Sequence, residues 1–296
     1  MASAPGFFKQ AGVGRVLVSD FLVASVLTII PALAFLFYLL NRYEGYFEDA
    51  RVFFSLTVGF FVGLVVAFLE NVAFAFDSDL FIAEAGAGTA FLMFVGGYAL
   101  VEAAGKTVVL GTAKFRKRKD TPYYGAALGI GFGAMVGLQA VALGLRQTAL
   151  MDRSIDADWA LTLALIVLSA SGSILTAGAT GVWIGKGAAE GKLWRGLVHG
   201  SLLTMPVLAC LWFFRPAPAL VPAIAAFLYG AGLVVWTQRR ILDKVVPPEI
   251  RDQVLKERRR EARREERAAQ AEPVAAPVAS PPSDVPPTPT TPPKQG

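Results

Sequence analysis

Cysteine and histidine are almost absent from this chain of 296 residues, which has one of each, Cys210 and His199. A single cysteine excludes an intrachain disulfide and any metal site built from several cysteines. Charged residues make up only 17% of the chain, and they are concentrated in a few short segments. No module typical of nucleic-acid binding is present, so we expect no nucleic-acid partner.

Long apolar runs are abundant instead. Hydrophobic residues make up 54% of the chain, and its mean hydropathy is +0.52. A bilayer core needs about 20 consecutive apolar residues in a helix, because backbone polar groups must be paired internally in lipid. We therefore predict an all-α, polytopic membrane helix bundle over residues 16–240, after an N-terminal segment of residues 1–15. The seven predicted transmembrane helices are Val16–Leu40, Phe53–Phe76, Gly88–Leu110, Tyr123–Leu145, Trp159–Ile184, Gly196–Phe214 and Ala217–Trp236.

The charges between these spans predict the orientation, since basic loops stay in the cytosol. Two acidic loops, Asp77–Ala87 and Arg146–Asp158, fit the outside. We predict a multi-pass protein of the cytoplasmic membrane with its N-terminus out and its C-terminus in, and we expect anionic lipid headgroups at the basic loops and tail. The basic residues in question are Lys114, Arg116, Lys117, Arg118, Lys119, Lys186, Lys192, Arg195, Arg239 and Arg240.

The character of the chain changes after the last span. Residues 247–272 are rich in Arg, Glu and Ala, and the prolines Pro247 and Pro248 followed by Glu249 are typical of a helix start. We predict a charged, solvated cytosolic helix there. Residues 273–296 are dominated by proline, alanine, serine and threonine, a composition that cannot bury enough apolar surface to fold. We predict a disordered Pro-rich tail.

Two charges lie within the third span. Lys106 lies four positions after Glu102, so the two side chains share one helix face, in the order that favours an ion pair. Lys106 lies about one turn from the predicted cytosolic end and could extend to the interface, whereas Glu102 lies deeper. The pair is either structural or functional. Glu70 and Asn71 lie in the outer half of the second span, and we interpret them as a separate polar contact.

Glycine recurs every four residues in the fourth span, at Gly125, Gly129, Gly133 and Gly137. Such spacing favours close approach of another helix in a membrane. We predict a helix-packing ridge. It either serves packing alone or forms one wall of a polar site.

The order VEAAGK, YYGAALGIGFGAMVG, ILTAGATGVWIG and LVHG, between Val101 and Gly200, resembles the PrsW family of intramembrane proteases, which is CAAX-protease-like. The resemblance implies a PrsW-like core over about residues 88–214. In the family, a pair of glutamates precedes a lysine, a third glutamate lies in the glycine-rich span, and two histidines follow. Here Glu102, Lys106 and His199 match the pattern, whereas Ala103, Val136 and Ser173 replace the other polar residues.

The resemblance implies Glu102 and His199 as catalytic residues, if the protein is active, with Lys106 in support. One glutamate and one histidine make a poor metal site, because open zinc sites usually have three protein ligands. We therefore predict no metal and no other cofactor. The replaced positions predict that peptidase activity is lost or strongly weakened, which makes a pseudoenzyme one interpretation.

Three classes of function remain open from the sequence. The first is a PrsW-like protein that binds or processes membrane-embedded protein substrates. The second is a membrane scaffold that recruits partners or anionic lipid through its basic tail. The third is a transporter that uses Glu70, Glu102 and Lys106, although no inverted repeat is apparent.

Overall fold

The computed structural model describes residues 7–41, 46–85, 87–150, 157–214 and 220–247 and six residues of the C-terminal segment. At residues 7–20, 70–85, 87, 144, 146–150, 157–159 and 214 the description covers the backbone alone. The chain divides into two units, Met1–Pro247 and Pro248–Gly296. The predicted tail 273–296 lies outside the described residues, as does most of the predicted charged helix 247–272. The six described residues of the second unit are helical, and they are Lys256, Arg260, Arg263, Arg264, Glu266 and Arg267.

The first unit is a helical bundle, and no strand occurs among its described residues. Seven of the described helices are long and apolar enough to cross a membrane, as the sequence predicts. Helix α7 continues into a π-helix, Gln238–Leu242, and a short helix α8, Asp243–Val245. The seven long helices are α1 (Phe7–Leu40), α2 (Asp49–Ala85), α3 (Ala87–Leu110), α4 (Thr121–Leu150), α5 (Ala157–Ala189), α6 (Leu193–Phe214) and α7 (Leu220–Thr237).

Several helices extend beyond the predicted spans. The segment Asp77–Ala87, predicted as a loop, is helical as far as Ala85 and is part of α2. With 37 residues, α2 is about 55 Å long at 1.5 Å per residue, which exceeds a hydrocarbon core of about 30 Å. The extra turns carry Asp77, Asp79 and Glu84, since a helix can continue into water once it has left the lipid.

Helix α4 lies at the centre of the bundle. Every residue from Thr121 to Ala134 is buried, and α4 contacts α1, α2, α3 and α5. Helix α3 packs mainly against α6, and α7 packs against α5 and α6. Large apolar side chains face outward elsewhere, such as Val221 at 78% and Leu92 at 69% exposed. A surface of this kind suits contact with lipid tails.

One end of the bundle collects the basic segments, and we call residues 46–48, 111–120, 190–192 and 238–245 the basic end. The Lys117 amide donates to the Ala188 carbonyl oxygen over 3.1 Å. The Tyr46 hydroxyl donates to the Val245 carbonyl oxygen over 3.0 Å. These bonds join the segment that precedes α4 to the end of α5, and the segment that precedes α2 to α8. The sequence left the position of the first loop undecided, and the structure places Tyr46 at the basic end.

Candidate functional site

The buried pair Glu102 and Lys106 lies on the face of α3 that turns into the bundle. Lys106 is fully buried at 0% exposed, and Glu102 is 5% exposed. The Lys106 Nζ atom lies 3.5 Å from the Glu102 Oε2 atom. The lysine therefore points into the bundle and does not extend to the interface, which the sequence had left open.

Two further helices complete the surroundings of Lys106. Its ammonium group donates a hydrogen bond to the Thr180 hydroxyl of α5 over 3.2 Å. It also lies 4.6 Å from the centre of the Phe132 ring of α4, within the range of a cation–π contact. Phe132 belongs to an apolar cluster with Val66 and Ala177. Lys106 thus joins α3, α4 and α5 through one carboxylate, one hydroxyl and one aromatic face.

His199 lies in a different environment on α6. Its side chain is exposed, and its Nδ1 atom is 2.7 Å from the Arg195 carbonyl oxygen one turn earlier. The imidazole stacks on the Trp183 ring of α5, with centroids 5.5 Å apart and planes 3° apart. Trp183 in turn stacks on Trp236 of α7 and donates to the Thr237 hydroxyl over 3.1 Å.

Glu102 and His199 are therefore not joined by a hydrogen bond or an ion pair in the part of the chain that the structure describes. Among the described residues, no group of three His, Cys, Asp or Glu side chains could hold a metal ion. What the pair can do is limited accordingly. The carboxylate and the ammonium group hold each other within α3, and the ammonium group also contacts α4 and α5. A general base additionally needs access to the proton that it accepts.

The four glycines of the predicted ridge face α5. An added Cβ at Gly125 would collide with the Gly181 carbonyl oxygen, and one at Gly129 would collide with the Ala177 carbonyl oxygen. Added Cβ atoms at Gly133 and Gly137 would meet Ile174 and Ala170, respectively. The ridge is therefore filled by the backbone and small side chains of α5, and the α4 residue that reaches Lys106 is Phe132. This arrangement favours packing alone over a wall of a polar site.

Comparisons of the chain with protein-family models, with curated proteins and with solved structures gave no match.

A second ionic cluster, which the sequence did not reveal, lies at the basic end. The Arg118 guanidinium donates to both carboxylate oxygens of Asp120 over 3.1 and 3.0 Å, and to Glu48 over 3.1 Å. The Tyr124 hydroxyl donates to Asp120 over 2.6 Å and accepts from the Glu48 amide over 3.1 Å. These four residues form a closed ring that ties the start of α2 to the start of α4. A lone acid within the basic loop was the available signal for Asp120.

The pKa values of Asp120, within this ring, and of Tyr46, beside it, are shifted from their usual values. Burial alone would raise the pKa of Asp120, but hydrogen bonds from Arg118 and Tyr124 outweigh it and hold that pKa below its usual range. Burial, and then the negative charge of Asp120, raise the pKa of the Tyr46 phenol. Asp120 is therefore held as an anion, and the Tyr46 phenol stays neutral when it donates to Val245.

Proposed function

We propose that this protein binds transmembrane helices of other membrane proteins and has lost or strongly weakened the peptidase activity of the PrsW family, which it resembles. The observation that carries this proposal is the packing at three positions where the family has acidic or histidine side chains. In this chain those positions contribute contacts within the bundle, and none supplies a group that could activate water beside Glu102.

The position of the second family glutamate is Ala103, which is 1% exposed. It lies against Gly200 of α6, where an added Cβ would be 3.7 Å from the Ala103 Cβ atom. A glutamate at 103 would need space that α6 occupies. The replacement of this glutamate therefore goes together with close packing between α3 and α6.

The other two positions, Val136 and Ser173, are partly buried and have contacts within the bundle. Val136 packs in the apolar cluster of Val66, Phe132 and Ala177. The Ser173 hydroxyl donates to the Ser169 carbonyl oxygen of its own helix over 3.2 Å. Peptide hydrolysis needs a water held by a base or a metal together with groups that stabilise the developing charge. His199 stacks on Trp183, and among the described residues the ionic partner of Glu102 is Lys106. This arrangement supports loss of catalysis.

A face of α3 supports the binding of partner helices. Leu92, Met93 and Leu100 are exposed on this face, and Gly96 and Gly97 lie among them with no atom within 4 Å of an added Cβ. Each glycine weakens a helix by about 1 kcal/mol relative to alanine. In lipid such small residues allow another helix backbone to come close, which the glycines of α4 already do against α5. The α3 face has the same small residues, and in the part of the chain that the structure describes no helix packs against its two glycines.

We also propose that the basic end faces the cytosol, so that the N-terminus is outside and the C-terminus inside. The supporting observation is that the loops before α4 and α6 and the end of α7, which carry the basic residues, lie at one end of the bundle. Positive charge is retained on the cytosolic side of a membrane. The resemblance favours a prokaryotic cytoplasmic membrane.

The test uses the purified full chain in phosphatidylcholine vesicles with a biotinylated single-pass peptide that carries a Gly-x-x-x-Gly motif. A photoreactive benzoylphenylalanine replaces Met93, beside the exposed glycines. We expect light-dependent crosslinking to the peptide and no cleavage of it. Gly97→Leu fills the exposed groove and should reduce crosslinking several-fold, whereas Ala225→Leu, a similar enlargement at an exposed site on α7, should leave it unchanged.

Two results would overturn the proposal, one for each of its parts. Equal crosslinking in the Gly97→Leu and Ala225→Leu proteins would remove the α3 face as a binding surface. Peptide cleavage that disappears in a Glu102→Gln variant would show that the peptidase activity is retained.

A further inference from the structure

A groove on the outer face of α7 combines an apolar floor with a basic end. Its volume is about 730 Å³, and its floor includes Leu228, Gly232 and Val235. These residues share one helix face, since they are spaced by four and three positions. Leu228 is 62% exposed and Val235 is 47% exposed. The groove therefore opens outward from the bundle, towards the side where lipid tails lie.

Three basic side chains line the groove where it reaches the basic end of the bundle. Arg239, Arg240 and Lys244 line it and are exposed. No acidic side chain among the described residues forms an ion pair with any of them. Asp243, the acid between Arg240 and Lys244 in the sequence, also takes part in an interaction. Three exposed positive charges next to an apolar floor are complementary to a molecule with an anionic head and a hydrocarbon chain.

The backbone and an aromatic side chain fix this arrangement. The turn Gln238–Leu242 is a π-helix, a rare form that is frequent at functional sites. It begins one residue before Arg239 and so sets the direction of both arginines. The Arg240 guanidinium lies 5.9 Å from the centre of the Trp236 ring. Trp236 lines the groove and is held by its stack on Trp183, with centroids 4.9 Å apart.

The length of the groove matches one lipid leaflet. Leu228 and Arg239 are eleven residues apart in the sequence, which corresponds to about 16 Å along a helix. Half of a hydrocarbon core is about 15 Å. At the middle of the floor, no atom lies within 4 Å of a Cβ added at Gly232. The missing side chain therefore leaves room for an acyl chain to lie along α7.

We propose that this groove is a binding site for one anionic phospholipid. Arg239, Arg240 and Lys244 hold the headgroup phosphate, and one acyl chain lies over Gly232 between Leu228 and Val235. The site is independent of the α3 face in the proposed function. Charge decides between lipid classes, because a zwitterionic headgroup brings its own cation against the three that are already there.

Native mass spectrometry of the purified full chain in neutral detergent tests this proposal. Dioleoylphosphatidylglycerol and dioleoylphosphatidylcholine are added at equal concentrations, so that only the headgroup differs. We expect one phosphatidylglycerol to be retained at least tenfold more tightly than phosphatidylcholine. Each basic residue near an anionic lipid surface contributes about 1 kcal/mol, or about fivefold in affinity. The variant Arg239→Gln/Arg240→Gln/Lys244→Gln should therefore lose this preference.

A matched variant separates a built site from general attraction to a basic protein. Arg116→Gln/Lys119→Gln/Lys192→Gln removes the same charge from exposed positions outside the groove and should keep the preference. Equal retention of the two lipids by the unaltered protein would overturn the proposal. An equal loss of preference in both triple variants would overturn it as well.

The acyl chain has a separate test that leaves the charges in place. Gly232→Leu fills the floor without meeting a neighbour and should weaken retention of phosphatidylglycerol several-fold. Ala225→Leu also introduces a leucine at an exposed position of α7, but at a residue that does not line the groove, and should not weaken retention. If Gly232→Leu retains phosphatidylglycerol as well as Ala225→Leu does, the chain does not lie where we propose.

Discussion

The two ionic clusters of the bundle differ in what surrounds them. The pair Glu102 and Lys106 is enclosed by helices, with side chains 7% and 1% exposed. In the ring at the basic end, Arg118 and Glu48 are 35% and 54% exposed. Ion pairs in water contribute little, whereas removing one partner of a buried pair is costly because the other charge is left uncompensated. Removing one charge should therefore lower the free energy of unfolding much more in the buried pair than in the exposed ring.

The largest expected effect comes from breaking the enclosed pair. Lys106→Met leaves the Glu102 carboxyl group buried without its partner and should lower the free energy of unfolding by about 3–5 kcal/mol. Thermal or SDS-induced unfolding of the purified protein measures this. The control is Lys119→Met, which removes an exposed lysine. Equal stability of the two variants would mean that burial does not increase the contribution of the Glu102–Lys106 pair to the free energy of unfolding.

Removing both charges should reverse most of that loss. In Glu102→Met/Lys106→Met, two apolar side chains of similar length occupy the same space, and such replacements of a buried ion pair are often neutral. We expect stability within about 1 kcal/mol of the original protein. The same unfolding assay checks this. A double variant as unstable as Lys106→Met alone would instead assign Lys106 a packing role that methionine cannot fill.

A smaller effect is expected at the basic end. Asp120→Asn removes the anion that Arg118 and Tyr124 share, and should cost about 1 kcal/mol because solvent screens the ring. The pKa of Asp120 is lower in the folded protein than its ordinary value of 3.8. The contribution of Asp120 to stability is therefore fully present above its ordinary pKa, and it is lost as the pH falls through the lower pKa of the folded protein.

The role of Asp120 can be measured from how the stability of the original protein and of Asp120→Asn depends on pH. As the pH falls below about 5, the original protein should progressively lose the stability that Asp120 contributes, whereas Asp120→Asn should lack that part of the loss. Unfolding curves at several pH values in detergent compare the two. Parallel pH profiles for both proteins would contradict the assigned role of Asp120.

The smallest expected effect belongs to Thr180. Thr180→Val keeps the shape of the side chain but removes the hydroxyl that accepts from Lys106. Hydrogen bonds between membrane helices contribute about 0.6 kcal/mol on average, and the Glu102 contact remains. Thr28→Val, which removes a buried hydroxyl that donates to the Ala24 carbonyl oxygen of its own helix, is the matched control. A loss in Thr180→Val as large as in Lys106→Met would make the threonine, and not Glu102, the main partner of the lysine.

Much of the fold could be predicted from the residues, but the contacts of the candidate site only in part. The spacing of Glu102 and Lys106 is a local property of one helix, and it predicted a shared face. Thr180 and Phe132 are 74 and 26 positions away from Lys106 in the chain, and nothing in their local pattern distinguishes them from other residues of apolar helices. His199 illustrates the same limit, because its stack on Trp183 depends on how α5 and α6 are rotated against each other.

The amino-acid pattern alone was enough to predict a membrane environment and the seven helices that are long and apolar enough to span it. Hydropathy and chain length suffice for that, because lipid leaves each backbone polar group no partner outside its own helix. Only the tertiary structure decided which polar groups meet. The rotation of each helix is set by where glycines allow backbones to touch, as between α4 and α5, and that closeness is a property of two helices together. Helix rotation buried Lys106 against Thr180, placed His199 on Trp183, and left the α7 groove open on the outer face of the bundle.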